Sequence, residues 1–155
     1  MSRAFVKEPE GADAIEDLPD RPISPHPNLV TAHGLALIDA ELARLHRDYA
    51  EAQAANDRPS LVKVARDLRY WTSRRATAQV VAPPSDTTKV QFGSTVTIAR
   101  DGGRRQTFRI VGEDEADPAR GTLSHASPLA RALFGKKVGD VVQAGQSEAD
   151  ILEIA

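Results

Sequence analysis

Two apolar stripes constrain this chain more than anything else in it. Leu35, Ile38, Leu42, Leu45 and Tyr49 recur at intervals of three and four residues. After a break at Asn56-Asp57-Arg58-Pro59 the same rhythm resumes with Leu61, Val64, Leu68 and Trp71. Such intervals place side chains on one face of an α-helix. A helix with one apolar stripe must bury it, and the nearest matching stripe lies just across the break. The spacing predicts an antiparallel helical hairpin over residues 31–82, with Leu42, Leu45, Leu61, Val64 and Leu68 interlocked in a coiled-coil-like seam. Thr31 and Asp57 are natural N-caps for the two arms, and Pro59 is tolerated in a first helical turn. Arms of about 24 residues would reach ~36 Å. The same stripes could instead form half of a globular core. Arg44, Arg47, Asp48, Lys63, Arg66 and Asp67 on the other faces favour the hairpin.

Pro83-Pro84-Ser85-Asp86 marks a domain boundary, and beyond it the period changes from 3.6 to two. Val90 and Phe92, Val96 and Ile98, then Phe108 and Ile110 alternate in short runs. Asp101-Gly102-Gly103 supplies a hairpin turn between two of them. Ser127 caps a short helix with Pro128 at its first position and Gly135 at its end. Val141-Val142 and Ile151–Ile154 complete the pattern. A small α+β domain over 83–155 follows, with an antiparallel sheet and one short helix. Residues 1–30 carry five prolines and a net charge of −3. They read as an extended or disordered arm, the alternative being that Phe5, Val6, Ile15 and Leu18 dock onto the body.

Composition removes several chemistries. Cysteine is absent, which excludes disulfides, thiolate metal sites and cysteine nucleophiles and suits a reducing cytoplasm. Aromatics are 5%, too few for a pocket of stacked rings, and a net charge of −2 makes the whole chain no polyanion binder. No apolar run nears the ~20 residues of a membrane span, and no signal-peptide core is visible, so a cytoplasmic location is expected. His26, His33, His46 and His125 have no metal-binding spacing and read as surface residues. Glu113-Asp114-Glu115-Ala116-Asp117 reads as a solvated loop, because successive strand carboxylates point to opposite faces. No metal site and no active site emerge.

Two stretches and four short motifs resemble the Gre-type (GreA/GreB) family of bacterial transcription elongation factors. Val30–Leu42 is similar to the start of the family's coiled coil, with its Thr-x-x-Gly turn at Thr31 and Gly34. Leu68-Arg69-Tyr70-Trp71-Thr72 resembles the returning arm. The C-terminal motifs are Phe92–Val96, Phe108–Gly112, Ser127–Leu133 and Lys137–Asp140. The resemblance covers residues 30–155 and implies an FKBP-like C-terminal domain. It further implies a partner, bacterial RNA polymerase, whose secondary channel the hairpin enters, with nucleic acid met only through the polymerase. The expected docking residues are Ser127, Pro128, Leu129 and Arg131. The factor is expected to act as a monomer and to be no enzyme itself, at most assisting the polymerase's own RNA hydrolysis.

In the family, acidic residues at the hairpin tip help place a Mg²⁺ in the polymerase active site, in a motif of the form Asp-x-x-Ser-Glu-Asn. Here the tip reads Asn56, Asp57, Arg58, so Asp57 is the only catalytic candidate. The arms are also roughly two turns shorter, ~11 Å. Hard cations need several oxygen ligands. The expectation is therefore a polymerase-binding factor that modulates elongation or initiation with weak or no transcript-cleavage stimulation. No cofactor of its own is expected, Mg²⁺ belonging only to the polymerase active site. Two other readings remain open: prolyl isomerisation on the FKBP-like fold, and an interaction module for a different partner.

Overall fold

The computed structural model describes residues 18–155, so the suggested docking of Phe5, Val6 and Ile15 lies outside the described residues. In chain order the elements are β1 (Leu29–Val30), α1 (Ala32–Ala54), α2 (Arg58–Thr77), β2 (Gln79–Val80), β3 (Thr95–Ala99), β4 (Arg105–Val111), β5 (Thr122–Ser124), α3 (Pro128–Leu133), β6 (Val141–Ala144) and β7 (Ser147–Ile154). They divide into two units. One holds residues 39–76 together with 18–24, and the other holds residues 25–38 and 77–155.

The helical hairpin forms as its periodicity dictates. Along α1 the fully buried side chains are Ile38, Leu45 and Ala52, one every seven residues, which is the repeat of a left-handed coiled-coil seam. Leu35 and Leu42 beside them are half-buried. Tyr49, expected in the stripe, is 36% exposed. It lines an open hollow with Arg58, Leu61, Val62 and Ala65 of α2. On α2, Leu61, Val64, Leu68 and Trp71 are half-buried, and Arg74 is buried outright. Within the hairpin unit Arg75 Nε donates to Asp39 Oδ1 at 2.7 Å, tying the second arm to the first.

In the other unit the main sheet has the order β5-β4-β3-β7-β6. The pairs β3–β4, β3–β7 and β6–β7 are antiparallel. The fully antiparallel sheet expected from sequence is corrected at one edge, where β5 runs parallel to β4. Parallel neighbours need a long connection, and the acidic loop with the turn Pro118–Arg120 supplies it. Val96 and Ile98, Ile110, Leu123, Val142 and Ala144, and Ala149, Ile151 and Ile154 bury one face, closed by Ala130 and Leu133 of α3. The register of β7 slips opposite Thr97 and Ile98, so that Val96 faces Ile154 while Ile98 faces Ile151. That bulge lets residues three apart share one face.

Two expectations fail here. Val90 and Phe92 belong to the core but not to a strand. Gly93 at φ 87° turns the chain, and Gln91 N–H donates to Ser94 Oγ at 2.9 Å, so no ladder continues through them. His125 is not a surface residue: it is buried, with its ring edge-on to Phe92 at 5.6 Å.

This same unit contains the root of the hairpin. β1 and β2 pair in parallel, Leu29 with Gln79 and Val30 with Val80. Thr31 caps α1, its Oγ1 accepting from Gly34 N–H at 3.0 Å. Glu115, from the acidic run, comes to the same place. Its Oε2 accepts from Thr31 N–H at 3.0 Å and from Gly112 N–H at 3.2 Å, and its Oε1 accepts from the Thr31 hydroxyl at 2.5 Å. A carboxylate there satisfies orphan donors and complements the positive helix end. Gly34 is required by this approach, because a Cβ on it would lie 2.0 Å from Glu115 Oε2. The reading of residues 113–117 as a purely solvated loop is corrected at Glu115.

Two outcomes follow from this packing. Leu45 is 2% exposed, and Leu45→Ala should cost about 2–5 kcal/mol in urea unfolding, with a smaller loss for half-buried Leu68→Ala. Gly34→Ala should destabilise the protein by about 1–3 kcal/mol, because the added methyl displaces Glu115 from its donors on Thr31 and Gly112. Adding Glu115→Ala to Gly34→Ala should cost little more, and a double-mutant cycle in urea measures that coupling.

Candidate functional site

Two residues of the hairpin tip, Asn56 and Asp57, are committed to the turn, and Arg58 is the first residue of α2. Asn56 is left-handed at φ 51°, a conformation that Asn tolerates better than most side chains. Asn56 N–H donates to the Gln53 carbonyl at 3.2 Å and Asp57 N–H to the Ala52 carbonyl at 2.9 Å. Those two bonds form a Schellman end to α1, with Asn in the position usually held by Gly. Asp57 then opens α2. Its Oδ1 accepts from Ser60 N–H at 3.3 Å and its Oδ2 from the Ser60 hydroxyl at 2.6 Å. One residue therefore closes the first helix and caps the second.

The Ser60 hydroxyl bond, and after it the Ser60 amide bond, hold the Asp57 carboxyl below its ordinary value of 3.8. Asp57 also shares an open depression with Asp48 and Glu51 of α1, and with Ala52, Ala55, Ser60 and Val64. Counting acids in the turn alone misses those two carboxylates, which sit one and two turns back along α1. Asp48 is already held by Arg44 Nη1 at 2.8 Å, and Arg44 also binds Glu41. Among the described residues no group of three or more His, Asp or Glu side chains has the spacing to hold a metal ion. Each Asp57 oxygen already accepts one hydrogen bond from Ser60.

The second candidate lies at α3 in the sheet unit. Ser127 has extended backbone at φ −67° and ψ 153°, and its Oγ accepts from Ala130 N–H at 3.3 Å. Pro128 occupies the first helical position and is exposed, as is Arg131. Leu129 is half-buried and packs against the core, while Ala130 and Leu133 are fully buried. The fold thus brings Ser127, Pro128, Leu129 and Arg131 onto one helical turn, with Pro128 and Arg131 facing outward. Tip and turn belong to different units.

A helical hairpin with a tightly capped tip is joined in sequence to a five-stranded domain with one short helix, and its relatives are transcription elongation factors. The family described as Transcription elongation factor, GreA/GreB, C-term matches residues 85–155. A transcription elongation factor GreA from Alkalilimnicola ehrlichii is 39% identical over 122 residues, covering 72% of this chain and 76% of that protein. A transcription elongation factor GreB from Yersinia pestis is 35% identical over 150 residues, covering 82% and 88%. A GreA from Hyphomonas neptunium is 38% identical over 133 residues, covering 72% and 83%. The chain belongs to the GreA/GreB family.

The depressed acidity of Asp57 sets the sign of a pH effect. A carboxyl with a lowered folded pKa stabilises the fold fully above its unfolded value, and that contribution is lost as pH falls through the folded value. Hairpin stability should therefore decline below about pH 4. Asn caps helices as well as Asp, so Asp57→Asn should keep the helix at neutral pH and flatten its share of the acid slope. Far-UV circular dichroism of thermal melts between neutral and acid pH reads both.

Proposed function

We propose that this protein binds bacterial RNA polymerase and modulates elongation or initiation by presenting its helical hairpin at the secondary channel, with little stimulation of transcript cleavage. The observation that carries the second half is the commitment of Asp57, whose two oxygens serve Ser60 and thereby the start of α2. A carboxylate so engaged is a poor donor to an incoming cation, and Arg58 beside it brings a like charge to that ion. Arms of 23 and 20 residues reach only ~35 and ~30 Å. The first half is supported by family membership. Docking is assigned to Ser127, Pro128, Leu129 and Arg131, where an apolar side chain and a cation flank an exposed proline. On this reading the protein works in the cytoplasm as a monomer, performs no catalysis of its own and needs no resident cofactor.

Two measurements test this reading. Core polymerase should be retained by the immobilised protein, and Leu129→Glu should weaken that binding by about tenfold or more with its circular dichroism spectrum kept. In a stalled polymerase complex the wild-type protein should add little to the rate of transcript cleavage, and Asp57→Asn should change that rate no further. Absence of polymerase binding would leave the hairpin as an interaction module for another partner. Strong cleavage by the wild type, abolished in a folded Asp57→Asn protein, would overturn the tip argument.

A further inference from the structure

The N-terminal arm ends in a contact for which neither the stripes nor the family resemblance supplies a role. Within the hairpin unit, residues 18–24 lie against α2. Arg69 Nε donates to Asp20 Oδ1 at 2.7 Å, and Arg21 Nη1 donates to Asp67 Oδ1 at 3.3 Å. The Arg21 guanidinium sits 3.9 Å above the centroid of the Tyr70 ring and 5.8 Å from that of Trp71. Those two rings meet edge to face, 5.1 Å apart at 88°. Asp20, Arg21 and Ile23 share a shallow hollow with Arg69, Tyr70 and Ser73.

The chemistry of this contact is selective. A carboxylate beside an aromatic face recognises a guanidinium by charge and by cation–π attraction together, and an ammonium less well. The rest of α2 repels cations, since it carries Arg58, Lys63, Arg66, Arg69, Arg74 and Arg75 with Asp67 as its only acid. Arg21 lands on that one acid. The contact is also built to open. Arg21 and Asp67 keep 38% and 29% of their side-chain exposure, so solvent and salt weaken the pair. Arg66 Nε stands 3.7 Å from the same Asp67 oxygen, so the carboxylate keeps a counter-charge when Arg21 leaves. Pro19, Pro22, Pro25 and Pro27 restrict the arm, so less entropy is lost when it returns.

We propose that Asp67, Tyr70 and Trp71 form an arginine-recognising cradle on α2, and that Arg21 of the same chain fills it as a reversible lock. In the filled state the cradle is closed to other proteins, and when the arm lifts it accepts an arginine-bearing extended segment of a partner. The lock and the partner segment compete for one carboxylate and one pair of rings.

Trp71 is the only tryptophan in the chain, so its fluorescence reports on the cradle alone. The probe is a synthetic peptide with the sequence of residues 18–26, and the readout is acrylamide quenching of Trp71 in the full-length protein. Contacts of this class each shift an equilibrium by about two- to fivefold. Arg21→Ala should therefore leave Trp71 measurably more accessible to acrylamide, and wild type in high salt should approach the variant. Added peptide should protect Trp71 in Arg21→Ala but not in wild type at low salt. A peptide with alanine for the arginine should give no protection, nor should any peptide protect an Arg21→Ala/Asp67→Asn protein. Equal quenching of wild type and Arg21→Ala, with matching circular dichroism, would overturn the lock. Equal protection of the two proteins by either peptide would overturn arginine recognition.

Discussion

The start of α1 depends on one carboxylate supplied from far along the chain. Glu115 answers the Thr31 amide, the Thr31 hydroxyl and the Gly112 amide at once. Without it, the first turn of a long helix would rely on the Thr31 side chain for the Gly34 amide and on water for the rest. The arrangement works only because Gly34 has no side chain where the carboxylate lies. Thr31, Gly34 and Glu115 are therefore one structural decision spread over three positions. The Thr-x-x-Gly turn that marks the family resemblance has a physical reason here: a cap at its first residue and an open space at its last.

The features legible in the sequence are those whose cause is local. Leu45 and Ile38 announce a helix stripe because their neighbours repeat within seven residues. Ser127, Pro128 and Gly135 announce a short helix because each acts within one turn. Features whose cause is remote were not legible. Glu115 reads as one acid among several until Thr31, 84 positions away, is brought beside it. The parallel pairing of β5 depends on where the chain returns after a loop, and nothing in Thr122–Ser124 encodes a direction. The bulge in β7 replaces a strict alternation with a step of three, which a period-two reading cannot anticipate. Arg21 shows no periodicity at all, since its partners are an acid and two rings on another segment.

The tip illustrates how far a single residue's duties can restrict its chemistry. Asp57 was legible both as a helix cap and as a candidate ligand, and the geometry shows the first role filled with both oxygens. In a turn of only three residues between two helices, every backbone N–H is already assigned. A longer connection would leave carboxylates without structural duties and available to a cation.

The parallel pairing of β1 with β2 brings the two ends of the helical segment side by side. The hairpin is therefore topologically an insertion within the sheet unit, entered through Val30 and left through Gln79. Its entry and exit are fixed by that ladder and by Glu115, and neither depends on how far the helices run. Adding or deleting one seven-residue block in each arm together would keep the seam in phase and the ends in place. Arm length is thus a quantity that evolution can vary in paired heptads without renegotiating the fold, and reach is separable from the scaffold that carries it.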